Sequence, residues 1–361
     1  MAGEFGKRAL VIHGNNAART KPLLAGIEAA KMEYSCFEVR GEPTVEQIAD
    51  GVNRARLAES ELVIGFGGGS VIDSAKAIAG LVTNPGAILD YLEVIGKGKQ
   101  LTFPAMACVA MPTTAGTGAE VTRNSVLASL EHRVKVSLRS PFLLPRLAIV
   151  DPKLTIDLPP SVTASTGLDA LTQLIEPYVS IRANPVTDGL CVEGMRRVTR
   201  SLRRAYDQGQ DLQAREDMAL ASLFGGLSLA NAGLGAVHGF AAPIGGMFHA
   251  PHGAVCAALL PHVTAVNLRA MRERLNDSAA LSRYDSVAKI LTGSEKATAV
   301  DGIGWINDLC KALQIVGLRA YGVTEAQIGV LVEKAAKASS MKANPIVLTD
   351  EELTEALQAA L

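Results

Sequence analysis

An excess of charge of either sign is what this sequence lacks most plainly. Its 361 residues hold 35 lysines and arginines against 36 aspartates and glutamates, which excludes a general electrostatic role on nucleic acid or membrane. Paired cysteines are missing too. Cys36, Cys108, Cys191, Cys256 and Cys310 are widely spaced and never arranged as CxxC, which excludes a disulfide framework or zinc ribbon and suits reduced thiols in the cytoplasm. The start, MAGEFGKRALVIHG, has no basic region, long apolar core and cleavage site of a signal peptide. Internal repeats and low-complexity tracts are absent. Residues 226–248 come nearest to a membrane span, but Asn231, His238, Pro243 and several glycines interrupt them, so a buried helix followed by a turn is expected. The densest basic run, RRVTRSLRRA at 196–205, reads as the solvated face of a helix.

What is present is apolar material. Hydrophobic residues make up 48% of the chain, enough for large cores, and the length favours two domains. Up to about residue 158 the chain alternates strands (RALVIHG, YSCFEVRG, LVIGFGGGS, AMACVAMPTT, RLAIVDP) with helical stretches such as TVEQIADGVNRARLA and VIDSAKAIAGLVT. That alternation predicts a parallel sheet covered on both faces. From 159 to 361 the periodicity is almost wholly helical. We therefore expect an α/β domain over 1–158 and an all-α domain over 159–361, with a ligand in the cleft between them.

GFGGGSVIDSAK sits at a strand-to-helix turn. Gly67, Gly68 and Gly69 let backbone N–H groups approach a phosphate, Ser70 adds a hydroxyl, and the new helix contributes its dipole. It is neither GxGxxG nor a Walker loop, and a tight turn that binds nothing has the same sequence. A second polar loop, MPTTAGTGAEVT, with Thr113, Thr114 and Thr117, also follows a strand. Two such loops suggest a dinucleotide lying across the strand ends.

Asp169 and Gln173 stand four apart on one helical face among leucines. A carboxylate there needs a partner. His238 and His252, in AVHGFAAPIGGMFHAPHG, could complete a shell for Zn²⁺ or Fe²⁺. A hydrogen-bonded aspartate with two satisfied core histidines accounts for the same residues.

GFGGGSVIDSAKAIA, PTTAGTGAEVT, DPKLTIDLPPSVTASTGLDALTQLIEPYVS, VHGFAAPIGGMFHAPHGAVCAALLPHV and ANPIVLTDEELTEALQAAL, in that order, resemble the iron-containing (group III) alcohol dehydrogenase family. The resemblance implies a dehydroquinate synthase-like fold: an N-terminal dinucleotide-binding α/β domain, an all-α C-terminal domain and an active site in the cleft. It implies NAD(P)-dependent interconversion of an alcohol and an aldehyde or ketone, assisted by a divalent metal. Carried over by residue, Gly67, Gly68, Gly69, Ser70 and Asp73 would form the phosphate loop, Thr113, Thr114 and Thr117 the second cofactor loop, and Lys135 a nearby lysine.

Asp169, His238 and His252 match three of the family's four metal ligands, while the fourth place, a histidine in the family, holds Gln173 as a weak neutral ligand. A second histidine of the family, linked to proton relay, is replaced by Ala242, which leaves His249 to take that part. After the first strand come Gly14, Asn15 and Asn16, with Arg19 and Lys21 nearby and no carboxylate, so NADP(H) is admitted beside NAD(H). The alternatives are a metal-independent reductase of the maleylacetate reductase type and a cofactor-binding protein that has lost turnover. A cytoplasmic homo-oligomer acting on a small molecule, away from nucleic acid and membrane, is expected.

Overall fold

A computed structural model describes residues 2–132, 134–248, 250–275 and 279–361. The chain divides into two compact units, residues 1–114 with 119–154 and residues 115–118 with 155–361.

The first unit alternates β1 (Arg8–His13), α1 (Lys21–Ala29), β2 (Glu33–Glu38), α2 (Val45–Leu57), β3 (Leu62–Gly67) and α3 (Gly69–Thr83). A short α4 (Ile88–Tyr91), β4 (Ala107–Pro112), β5 (Asn124–Ser129), β6 (Val134–Arg139) and β7 (Leu147–Ala148) follow. Five strands form one sheet in the order β2-β1-β3-β4-β7, every neighbouring pair parallel. Buried on both faces, β3 is apolar along its whole length, as a central parallel strand must be. The chain order reverses between β1 and β3, and at such a switch point the strands' carboxyl ends leave a crevice for a ligand. β1 ends there in Gly14 and β3 runs into Gly67 and Gly68. The β5–β6 hairpin is antiparallel and is an addition to the strands expected from the sequence. Its alternating burial gives a half-buried pattern weaker than the continuous apolar runs of the main sheet.

The second unit is helical. Its α5 (Pro160–Val179), α6 (Pro185–Asp207), α7 (Leu212–Ala232), α8 (Ala236–Phe248) and α9 (His252–Arg274) are followed by α10 (Ala279–Thr292), α11 (Ala299–Ala312), α12 (Ile328–Ala336) and α13 (Asp350–Ala359). Leu168, Leu171 and Leu174 of α5 share a core with Val198 and Leu202 of α6, Phe240 and Ile244 of α8, and Leu259 of α9. Over 226–248 the expected buried helix and turn are the end of α7 and the bend after it, and a second helix, α8, follows. The chain bends by 102° between α7 and α8 at Gly233, whose φ of +77° belongs to glycine. By length and composition α9 could cross a membrane, as could the bent α7–α8 pair, but α9 is mostly buried in the unit.

The arginine run forms the exposed helix face expected of it, with Arg197 alone partly buried. Arg197 and Arg200 bind the buried Asp217 of α7 at 2.6–2.8 Å, and Ser201 donates to it at 2.6 Å. Burial opposes ionisation of Asp217, but these donors outweigh it and hold the carboxyl below its usual range.

Candidate functional site

The helical face predicted for α5 carries Asp169, Gln173 and, three residues on, Glu176. Asp169 is 1% exposed, and neither carboxylate oxygen has a hydrogen-bond partner. His238, in the first turn of α8, turns Nε2 toward Asp169 Oδ1 at 3.4 Å. His252, the first residue of α9, brings its Nε2 to 3.7 Å from the same oxygen. One turn along α9, Cys256 Sγ lies 3.7 Å from His252 Nε2 and 3.9 Å from His238 Nε2. Four donor atoms, from Asp169, His238, His252 and Cys256, thus lie within 4.8 Å of one another. The His238 and Cys256 side chains are buried, whereas that of His252 is 33% exposed.

Glu176 sets the pose of His238. Its Oε2 lies 2.6 Å from Nδ1, and its Oε1 accepts the backbone N–H of Val237 at 2.7 Å. With Nδ1 donating to the carboxylate, the Nε2 lone pair faces the other donors. Without a cation the cluster is strongly polarised. Burial opposes charge on His252, but Cys256 and Asp169 overcome it and push its pKa up to about 9. His238 is held well above its ordinary value against the same burial, mainly by Cys256 and Glu176. These donors draw positive charge to their centre.

Gln173 donates from Nε2 to Gly116 O at 3.0 Å. It ties α5 to loop 115–118, the loop that carries Thr117. Within that loop Gly118 has φ +57°, and a Cβ there would stand 2.5 Å from Gly226 Cα. His249, proposed for proton relay, lies outside the described residues. Sequence reasoning missed Cys256 and Glu176. Both had a signal: Cys256 follows His252 by four residues and Glu176 follows Asp169 by seven, helical spacings that share a face.

In the first unit the glycine and threonine loops meet. Thr113 N–H donates to Gly67 O at 2.9 Å, and a Cβ on Gly68 would come within 3.3 Å of the Thr114 side chain. Ser70 lies in the first turn of α3, which begins with no capping side chain and so presents N–H groups at the sheet edge. Asp73 is engaged internally: Oδ2 accepts Val126 N–H at 3.0 Å and Oδ1 pairs with Lys76 at 2.8 Å. Lys135 pairs with Glu42 at 2.9 Å. The parallel register sets Glu38, the last residue of β2, beside His13, next to Gly14 and Asn15. No carboxylate follows β1 itself, as expected, but the neighbouring strand contributes one. Arg40 binds Glu38 at 2.9 Å.

A parallel sheet with an uncapped glycine turn, in a chain whose helices gather a carboxylate, two imidazoles and a thiol, fits the class of dinucleotide- and metal-dependent oxidoreductases. The chain belongs to the iron-containing alcohol dehydrogenase family. Residues 1–152 match the family description "Iron-containing alcohol dehydrogenase" and residues 163–361 match "Fe-containing alcohol dehydrogenase family, C-terminal". It is 38% identical over 332 residues to long-chain-alcohol dehydrogenase 1 of Geobacillus thermodenitrificans, covering 90% of this chain and 80% of that protein. A crystal structure of 1,3-propanediol oxidoreductase superposes with a TM-score of 0.91 at 34% identity, over 98% of this chain and 92% of that one. Sulfoacetaldehyde reductase from Bifidobacterium kashiwanohense, solved with NAD⁺, superposes at 0.84 with 28% identity, over 98% and 90% of the two chains. The protein is accordingly an oxidoreductase of the alcohol dehydrogenase type, in a family that uses NAD(P) and a metal. Its substrates are small-molecule alcohols and aldehydes.

Proposed function

We propose that Asp169, His238 and His252 hold a divalent cation and that the Gly67–Ser70 turn holds the pyrophosphate of NAD(P) while an alcohol and its aldehyde or ketone interconvert. The observation that carries this reading is Asp169, a buried carboxylate with no hydrogen-bond partner. Such an anion is costly unless a cation meets it, and the imidazoles around it suit Zn²⁺ or Fe²⁺. When bound, the metal supplies Lewis acidity to the substrate oxygen and the nicotinamide takes or gives the hydride.

The chain's own residues bind and orient. Glu176 holds the Nδ1 proton of His238 and fixes the ring. Gly67, Gly68 and Gly69 keep side chains away from the phosphates, and Ser70 with the first N–H groups of α3 binds them. Gly14 and Asn15 follow β1 on one side of that turn, and Thr113 and Thr114 follow β4 on the other. Asp73 and Lys135 shape this region through their ion pairs. Gln173 acts as an anchor for loop 115–118. Glu38 suits a free ribose 2′-hydroxyl and so NAD(H), while Arg40 leaves NADP(H) a cationic partner. We also infer a cytoplasmic homo-oligomer, the five free thiols fitting a reducing compartment.

The metal-independent alternative leaves the buried Asp169 oxygens without a hydrogen bond and is not favoured. The test is metal content, with carbonyl reduction assayed after chelation and after return of Zn²⁺ or Fe²⁺. Stoichiometric metal and reversible loss of activity are expected. Full activity after chelation overturns the reading.

A further inference from the structure

Cys256 has two possible meanings. A fully buried cysteine is ordinarily a small apolar side chain, and Cys256 does pack in the core of the helical unit. Its sulfur, however, does not face only hydrocarbon. It lies 3.7 Å and 3.9 Å from the two imidazole nitrogens that also converge on Asp169. Asp169 supplies the second, independent sign of a ligand, because both of its oxygens are buried and unbonded.

The separations discriminate between chance packing and a coordination shell. With tetrahedral angles and ordinary zinc bond lengths, neighbouring nitrogen and oxygen ligands stand about 3.4 Å apart, and nitrogen and sulfur ligands about 3.6 Å apart. The nitrogen–oxygen separations are 3.4 and 3.7 Å and the nitrogen–sulfur separations 3.7 and 3.9 Å. Four edges of the donor set therefore lie within a few tenths of an ångström of a tetrahedron, with no donor hydrogen-bonded to Asp169. On the same face of α5, Gln173 donates its amide nitrogen to Gly116 O, and its neutral amide oxygen is a weaker ligand than a thiolate.

We propose that Cys256 is the fourth protein ligand of this metal site, so that the donor set is Asp169, His238, His252 and a Cys256 thiolate. The proposal rests on the metal reading above and adds the identity of the shell. On binding, the sulfur–metal bond forms as the thiol proton passes to solvent, and nothing is oxidised. Two consequences follow from the chemistry of the set. A thiolate is softer than imidazole or an amide oxygen, which moves the preference from Fe²⁺ toward Zn²⁺. Thiolate plus carboxylate also cancel both charges of the ion, so the bound cation keeps less net charge than with one anionic ligand.

The test is cobalt substitution of the full-length protein, read by absorption rather than by turnover. Metal-free protein loaded with Co²⁺ is expected to show tetrahedral d–d bands together with an intense near-ultraviolet thiolate-to-cobalt band. In Cys256→Ser and Cys256→Ala the d–d bands persist, shifted, while the thiolate band disappears. Zn²⁺ affinity, measured by chelator competition, falls in both variants by at least the 10–100-fold typical of losing a supporting contact, and Fe²⁺ affinity falls less. Cobalt bound by wild-type protein without a thiolate band overturns the proposal and leaves the metal reading standing. Failure of wild-type protein to bind cobalt, zinc or iron overturns both. Because the decisive spectrum is that of wild-type protein, misfolding of a variant does not blunt the test.

Discussion

Each unit buries an ion. In the first, Lys76 is wholly enclosed, and its ammonium meets the Asp73 carboxylate at 2.8 Å, Ala119 O at 2.9 Å, Thr122 Oγ1 at 3.0 Å and Asn124 O. In the second, Asp169 is as deeply buried and neither of its oxygens is hydrogen-bonded. Burial of a charge is expensive in both places. The difference lies in who offsets it. The chain supplies everything Lys76 needs, and that lysine pins α3 to the segment leading into β5. For Asp169 the chain supplies two imidazoles and a thiol at 4.8 Å or less, and on the reading proposed above a bound cation completes the offset. A satisfied buried ion marks architecture, and an unsatisfied one marks a binding site.

Three substitutions sharpen that contrast. The largest effect is expected for Asp169→Asn, which should lower kcat/KM by about 10³-fold or more through loss of the metal. The metal-free variant should melt within a few degrees of metal-free wild type, since no hydrogen bond is removed. A collapse of its melting temperature would make Asp169 a structural ion like Lys76. Lys76→Met is the converse. It strands Asp73 and three oxygen acceptors and should cost about 3–5 kcal/mol in denaturant unfolding, with metal binding intact in the folded fraction. The smallest effect concerns the cofactor. Glu38→Ala removes a carboxylate beside the ribose site and should raise the NADPH-to-NADH ratio of kcat/KM about tenfold. An unchanged ratio would place the ribose away from β2.

The same contrast explains what the sequence could reveal. The sheet, the helical half and the glycine turn were legible because their signals are local: continuous apolar strands, 3.6-residue periodicity, three glycines between strand and helix. The sequence groups Asp169, His238 and His252 by residue type and spacing, and the helices do bring the three together. Cys256 escaped because cysteine was weighed only as a possible disulfide or CxxC partner, and Glu176 because an acid late in a helix resembles any surface carboxylate. Glu38 escaped because its meaning depends on strand register, which a single strand does not encode. Gln173 was read as a weak ligand from its place after Asp169, and only tertiary structure shows its bond to Gly116.

The tight spot before α8 has a practical consequence for anyone retuning this enzyme. Glu176 reaches both His238 and the backbone of α8 because residue 235 is glycine. A Cβ there would sit 2.8 Å from the Glu176 carboxylate and from Asn344 Oδ1, and Asn344 itself accepts the N–H of Ala236 at 3.1 Å. A randomised library aimed at metal choice should therefore vary residues 173 and 256 and hold 235 constant. The most delicate adjustment screw of the metal centre belongs to a residue with no side chain at all.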